Sequence, residues 1–147
     1  MTATQETAWR AFVSLHHKLF TQLERELVRR DGLSEPDFAV LISLLDADDQ
    51  RLRFKELRDE LGWQKSRLSK QISRMTLRGL LSKEACDTDA RGLYVALTPA
   101  GHDAILSALP GHFQDVRRWF IDCLTPEQLH WIEQSSATIV ANLPQDG

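Results

Sequence analysis

The chain has 147 residues, 42% of them apolar and 27% charged, with a formal net charge of −3. That is one domain's worth, long enough to bury a real core. No apolar run approaches the ~20 residues of a membrane span, and the N-terminus lacks a basic-then-apolar leader pattern, which points away from the membrane and toward the cytoplasm.

Trp9 to Arg30 reads as one long helix. Trp9, Phe12, Val13, Leu15, His16, Leu19, Phe20, Leu23 and Leu27 recur at three- and four-residue steps, and Asp31-Gly32 closes the run. So wide an apolar stripe at a terminus calls for a substantial packing partner, such as a second subunit. Ser34 starts a second helix, with Asp37 three residues on as a weak capping box and Phe38, Leu41, Ile42, Leu44 and Leu45 on its apolar side. Asp46 to Asp49 reads as a loop, and Leu52 with its flanking arginines as a short strand.

Next comes a helix over Phe54 to Leu61, ended by Gly62. A further helix over about Gln64 to Arg78 follows, with Leu68, Ile72 and Met75 inward and Gly79 as its cap. Leu81 to Cys86 and Leu93 to Leu97 predict a hairpin around a turn at Asp87 to Gly92. Thr98-Pro99 opens another helix, for which Pro110-Gly111 predicts a kink or break before it resumes to Cys123. Thr125-Pro126-Glu127-Gln128 opens the last one. The chain is thus mainly α with a small β-hairpin wing, a winged helix-turn-helix with helices on either side.

Charge singles out the middle of the chain. Gln64 to Lys83 carries six basic side chains and no acidic one. Arg51 to Arg91 holds 11 basic and 6 acidic residues, against 7 and 15 in the remainder, so an overall pI near 5.9 hides a basic module on an acidic scaffold. A short helix, a glycine turn, a basic helix and a ribbon, in that order, form a device for placing a helix in the DNA major groove. The bland alternative is ordinary charge on a solvated face.

The order of elements resembles the MarR family of bacterial transcription regulators. The motifs that carry the resemblance are Leu57 to Gly62 (Leu-Arg-Asp-Glu-Leu-Gly), Ser69 to Leu80, Asp89-x-Arg91, and Leu97-Thr98-x-x-Gly101. The resemblance covers nearly the whole chain. It implies one domain over residues 1–147, in which residues 1–32 and 99–147 form dimerisation helices and residues 34–98 the DNA-binding region. It further implies a homodimer, a recognition helix in the major groove and a wing in the neighbouring minor groove. Many members release DNA when a small aromatic or phenolic ligand, or an oxidant, acts near the join of the two regions.

On the recognition helix, Lys65, Ser66, Arg67, Ser69, Lys70, Ser73 and Arg74 are the candidate DNA contacts. The serines are short enough for close backbone approach, and the basic side chains reach phosphate or base edges. On the wing, Arg91 is the candidate for minor-groove insertion, oriented by Asp89. Alternatively, Asp87 and Asp89 simply bond local amides of a tight turn. Relatives typically carry a second basic residue near the tip where this chain has Ala90, which implies fewer wing contacts.

Trp9, Phe12, His16, Phe20 and Phe38 are candidates to line an aromatic effector pocket, although such residues often serve only as core; Trp119 and Trp131 suit a dimer interface as well. The five histidines show no paired metal spacing, the two cysteines (Cys86 and Cys123) no metal or disulfide spacing, and no cofactor is expected.

The expected function is that of a DNA-binding transcriptional regulator, a repressor, working as a homodimer on a palindromic double-stranded operator and released by a small aromatic effector. Two alternatives stand beside it. One is redox control through Cys86, set just before the wing but without an evident resolving partner. The other is a winged-helix module that docks protein. An enzyme is excluded for want of a phosphate loop, nucleophile elbow or paired-histidine motif.

Overall fold

The computed structural model describes residues 1–85 and 92–145. Among them are six α-helices, α1 (Ala3–Asp31), α2 (Glu35–Leu45), α3 (Phe54–Leu61), α4 (Lys65–Leu77), α5 (Pro99–Trp119) and α6 (Pro126–Asn142), and three strands, β1 (Arg51–Arg53), β2 (Leu81–Ala85) and β3 (Leu93–Leu97). The strands form one antiparallel sheet in the order β1-β3-β2, with Leu52 opposite Val95 and Lys83 opposite the same residue on the other side. None of the helices described is long and apolar enough to cross a membrane.

Helix α2 runs through the middle of the molecule. Phe38, Val40, Leu41 and Leu44 are all buried, so it meets neighbours on more than one side. Around it the core gathers Leu27 of α1, Leu57 of α3, Leu68, Ile72 and Met75 of α4, Val95 of β3 and Ile105 of α5. The three α4 residues are those that the 100° spacing turned inward.

The chain's punctuation is local chemistry. Ser34 and Asp37 form the expected capping box, the serine hydroxyl accepting from the Asp37 N–H (3.1 Å) and the carboxylate from the Ser34 N–H (2.9 Å). Thr125 and Gln128 start α6 with a box of the same kind, and the Thr98 hydroxyl caps α5. Gly62 (φ +69°) makes the turn between α3 and α4. Gly79 (φ +78°) follows α4, with its N–H on the Thr76 carbonyl and the Leu80 N–H on the Met75 carbonyl, a Schellman closure that aims the chain into β2.

Three expectations are corrected. The acidic stretch after α2 is not wholly a loop, because Asp48–Gln50 wind into a 3-10 turn before β1. The first helix begins well before its apolar stripe, since Thr2 and Gln5 close a capping box that starts it at Ala3. Most consequentially, of the kink or break expected at Pro110-Gly111 the break is absent, since α5 runs through as one helix, and it ends at Trp119 and not at Cys123, with a separate 3-10 turn over Ile121–Cys123. Pro110 removes one helical N–H, but the flanking turns are held by tertiary contact. Ala108 is buried, Arg30 of α1 pairs with Asp115 (3.0 Å), and the Arg30 side chain lies so close against Gly111 that a Cβ there would overlap its guanidinium.

In contrast, much of α1 and all of α6 have little to pack on among the described residues. From residue 1 to 20 only Val13 and Leu19 are even partly covered, and no residue of α6 is buried. Trp9, Phe12, Phe113, Trp131, Ile139 and Val140 are each more than half exposed.

Candidate nucleic-acid interface

Helix α4 divides cleanly. Leu68, Gln71, Ile72 and Met75 are buried, whereas Lys65, Ser66, Arg67, Ser69, Lys70, Ser73 and Arg74 are all exposed, as the predicted contact face requires. No acidic side chain lies in its first turn, and its N-cap residue Gln64 supplies no side-chain hydrogen bond to the first-turn amides. Those N–H groups therefore remain available to an anion at the positive end of the helix dipole. The Arg67 guanidinium stacks on the Trp63 ring at 4.1 Å from its centroid, an arrangement that pre-orients the arginine and that no sequence pattern announced.

Behind this face lies a polar cluster that sequence reasoning missed. Asp37, only 5% exposed, accepts from the Gln71 side-chain amide (2.6 Å) and from Arg78 (2.7 Å) in addition to the Ser34 N–H. Gln71, itself buried, accepts in turn from Arg74 (3.0 Å). The second Arg78 nitrogen donates to the Gly32 carbonyl (3.0 Å). Burial pushes the Asp37 carboxyl upward, but the hydrogen bonds from Arg78 and Ser34 outweigh it and hold the group below the usual carboxylate range. Arg78, counted by sequence among the basic side chains of the recognition helix, is thus engaged in fixing that helix to α2 and to the end of α1. The one sign of it in the sequence is the i, i+3 step from Leu68 to Gln71, which sets the glutamine on the buried side of α4.

At the base of the wing, Arg51 of β1 lies over the Tyr94 ring of β3 (4.3 Å) and pairs with Glu84 of β2 (3.2 Å). Three strands are thereby clamped at the point from which the tip departs. Asp89 and Arg91, the wing contacts expected from sequence, and Cys86 lie outside the described residues, as does Ala90. Cys123 is exposed beyond the end of α5.

A cavity of about 700 Å³ separates α4's support from the outer helices. Phe12, His16 and Phe20 of α1 and Phe38 of α2, four of the five residues predicted for an effector pocket, line it. Trp9 does not; it stacks near Phe12 (centroids 6.1 Å apart) over a separate shallow hollow with Arg10 and Lys18. The remaining walls include Ile42 of α2, His112 and Phe120 of α5 and its end, and Trp131 of α6. Sequence reasoning missed these later contributions because they come from distant segments. His112 tilts against Phe38 at 4.2 Å, and burial lowers its pKa, so the imidazole is neutral near pH 7. Its Nδ1 is buried with no hydrogen-bond partner among the described residues.

A family model described as the MarR family matches residues 31–92, the stretch from the end of α1 to the wing. The curated transcriptional repressor MprA of Escherichia coli is 24% identical over 124 residues, spanning 83% of this chain and 70% of that protein. AbsC, a MarR family transcriptional regulator of Streptomyces coelicolor, is 35% identical across 96% of this chain and 95% of its own, with a TM-score of 0.91. Sco3205, a MarR family regulator of the same organism solved in complex with DNA, is 30% identical over 98% of this chain and 94% of its own, with a TM-score of 0.94. Near-complete overlap at this identity, on a winged helix whose α4 face is polar and basic, leaves one conclusion: the chain belongs to the MarR family of transcriptional regulators, DNA-binding proteins and not enzymes.

Proposed function

We propose that the protein is a repressor that binds a palindromic operator as a homodimer and is released by a small aromatic effector held in the cavity between its outer helices and α2. The observation that carries the DNA-binding half is the division of α4, with the seven contacts predicted on that helix exposed and Leu68, Ile72 and Met75 fully buried on its other side. Residues 34–98 form the DNA-binding region. Lys65, Ser66, Arg67, Ser69, Lys70, Ser73 and Arg74 face the major groove, and Asp89 and Arg91 serve the wing. Two-fold symmetry then sets half-sites about one helical turn, ~10 bp, apart.

The test is a fluorescence-anisotropy titration of a palindromic genomic fragment across a range of salt. Replacing Arg67 and Arg91 together by alanine should lower affinity by about tenfold or more, since each arginine bonded to a base edge is worth ~1–3 kcal/mol. For each phosphate that the variant no longer neutralises, the log–log salt dependence should also flatten by about 0.9. Unchanged affinity in the double variant would end the repressor reading and leave the protein-docking one.

The homodimer is supported by what the single chain leaves uncovered. A 17-residue helix with no buried residue is marginal alone in water, because helices of that length draw their stability from packing an apolar face. Trp131, Ile139 and Val140 of α6, with Trp9 and Phe12 of α1, are apolar side chains left more than half exposed for a second chain to cover, and on this reading residues 1–32 and 99–147 form the dimerisation region. Sedimentation should show two chains per particle. Ile139→Asp together with Val140→Asp should shift it to one chain at micromolar concentration and abolish tight operator binding; a persistent dimer would place the interface elsewhere.

The effector proposal rests on the cavity's position. About 700 Å³ lies within the size range of small-ligand sites. Phe38 and Ile42 on its wall belong to the same helix that, through Asp37, holds the recognition helix.

A further inference from the structure

The charge of the cavity defines its ligand more narrowly than its aromatic lining does. Among the described residues its wall carries one acidic side chain, Glu35, and no lysine or arginine. The other polar groups are His16, His112, Ser135 and Ser136, set among a lining that is otherwise apolar. From this we infer that the cavity selects an aromatic ligand bearing a protonated amine, its ammonium paired with the Glu35 carboxylate and its ring lying among Phe12, Phe20 and Phe38, and that it rejects an aromatic carboxylate. The inference rests on the effector reading above and names the chemistry of that site.

Glu35 is short of compensation as it stands. It is partly buried at the start of α2, and its backbone N–H donates to the Glu24 carboxylate (2.7 Å), which brings a second acid beside it. Burial first, and then the charge of Glu24, push the Glu35 carboxyl upward; Arg67 of the recognition helix and His16 act in the opposite sense. A carboxylate removed from water beside a like charge gains from any cation brought to it. An ammonium supplies charge and three donors, whereas a ligand carboxylate brings only acceptors and a second negative charge into the same low-dielectric space. His112 does not offset this, because its imidazole is neutral near pH 7.

Three probes with one ring system separate the cases: 2-naphthylmethylamine, 2-naphthalenemethanol and 2-naphthoate, each titrated calorimetrically into the full chain at pH 7. The amine should bind about tenfold tighter than the alcohol, the size of effect expected for a hydrogen-bonded charge pair, and the carboxylate weakest of the three. In Glu35→Gln the amine should fall to the affinity of the alcohol, while the alcohol changes by less than about twofold. A carboxylate that binds as tightly as the amine overturns the inference, and the wild-type ordering alone reveals this even if the variant fails to fold. An amine preference that survives Glu35→Gln overturns the role of Glu35. Binding of the alcohol with no amine preference leaves the effector cavity standing and removes only its charge selectivity. If none of the three binds, the effector reading falls, and this inference with it.

Discussion

Replacing Asp37 by alanine is expected to cost the fold about 2–4 kcal/mol and to weaken operator binding, although Asp37 itself lies behind the DNA-facing surface. The cost has separable parts. Without the carboxylate, the buried Gln71 amide keeps no acceptor, a penalty of about 1–3 kcal/mol. The capping box at the start of α2 loses one of its two bonds, about 1 kcal/mol more. Arg78, with its side chain 42% exposed, can turn to water and adds little. Urea denaturation should show the total. Ser34→Ala, which disturbs the cap and leaves Gln71 and Arg78 satisfied, should show only about 1 kcal/mol. The DNA effect follows because Gln71 also holds Arg74, so a loosened Gln71 leaves a predicted DNA-binding side chain unaligned. A variant within about 0.5 kcal/mol of the parent would mean that water replaces the carboxylate at little cost.

The same carboxyl sets an acid dependence. Its folded pKa is depressed, so the native state binds the proton less readily than the unfolded chain does. Its stabilisation is therefore complete above the ordinary aspartate value of about 3.9 and is lost as the pH falls through the lower folded value. Asp37→Asn should flatten the acid limb of the stability curve in that window and leave the neutral region displaced but parallel.

How far the sequence carried the structure depends on the reach of the forces involved. Helix starts were legible to the residue at Ser34, Thr98 and Thr125, because a cap is written within four positions of the chain. The inward face of α4 was legible because Leu68, Ile72 and Met75 keep helical period. The passage of α5 through Pro110 was not, since it depends on Arg30, far earlier in the chain, closing on Gly111 and Asp115. Likewise, four of the five pocket residues came from an aromatic pattern in the first two helices, while His112, Phe120 and Trp131 reach the cavity only once α5 and α6 have folded across it. Glu35 carries no mark in the sequence, and its partial burial beside Glu24 appears only when α1 and α2 meet.

Gly101→Ala should be far more damaging than a single added methyl group usually is. The motif Leu97-Thr98-x-x-Gly101 looks like a capping signal alone, and Thr98 does accept from the Gly101 N–H (3.0 Å). The structure adds a second demand. Gly101 is buried against the backbone of Leu80, and a Cβ there would be driven into the Leu80 carbonyl oxygen and lie 3.0 Å from its carbon. Backbone cannot rotate aside as a side chain does. The start of α5 must therefore lift, which breaks the Thr98 N–H bond to Leu80 (3.2 Å) and the Thr98 hydroxyl bond to Gly79 (2.5 Å). Overpacking at about 1–3 kcal/mol and two strained hydrogen bonds at about 1 kcal/mol each make a loss of roughly 3–5 kcal/mol, against a typical total of about 5–15. Gly79→Ala is the control. Nothing lies within 4 Å of its missing Cβ, so only the positive φ is penalised, at about 1 kcal/mol. Thermal melts of the two variants should therefore differ widely although the glycines stand 22 positions apart on the same joint. Equal melting points would mean that α5 does not rest on the Leu80 backbone. The joint matters to control as well as to stability, because α5 leaves Leu80 at the end of the recognition helix and arrives, eleven residues after Gly101, at His112 on the cavity wall.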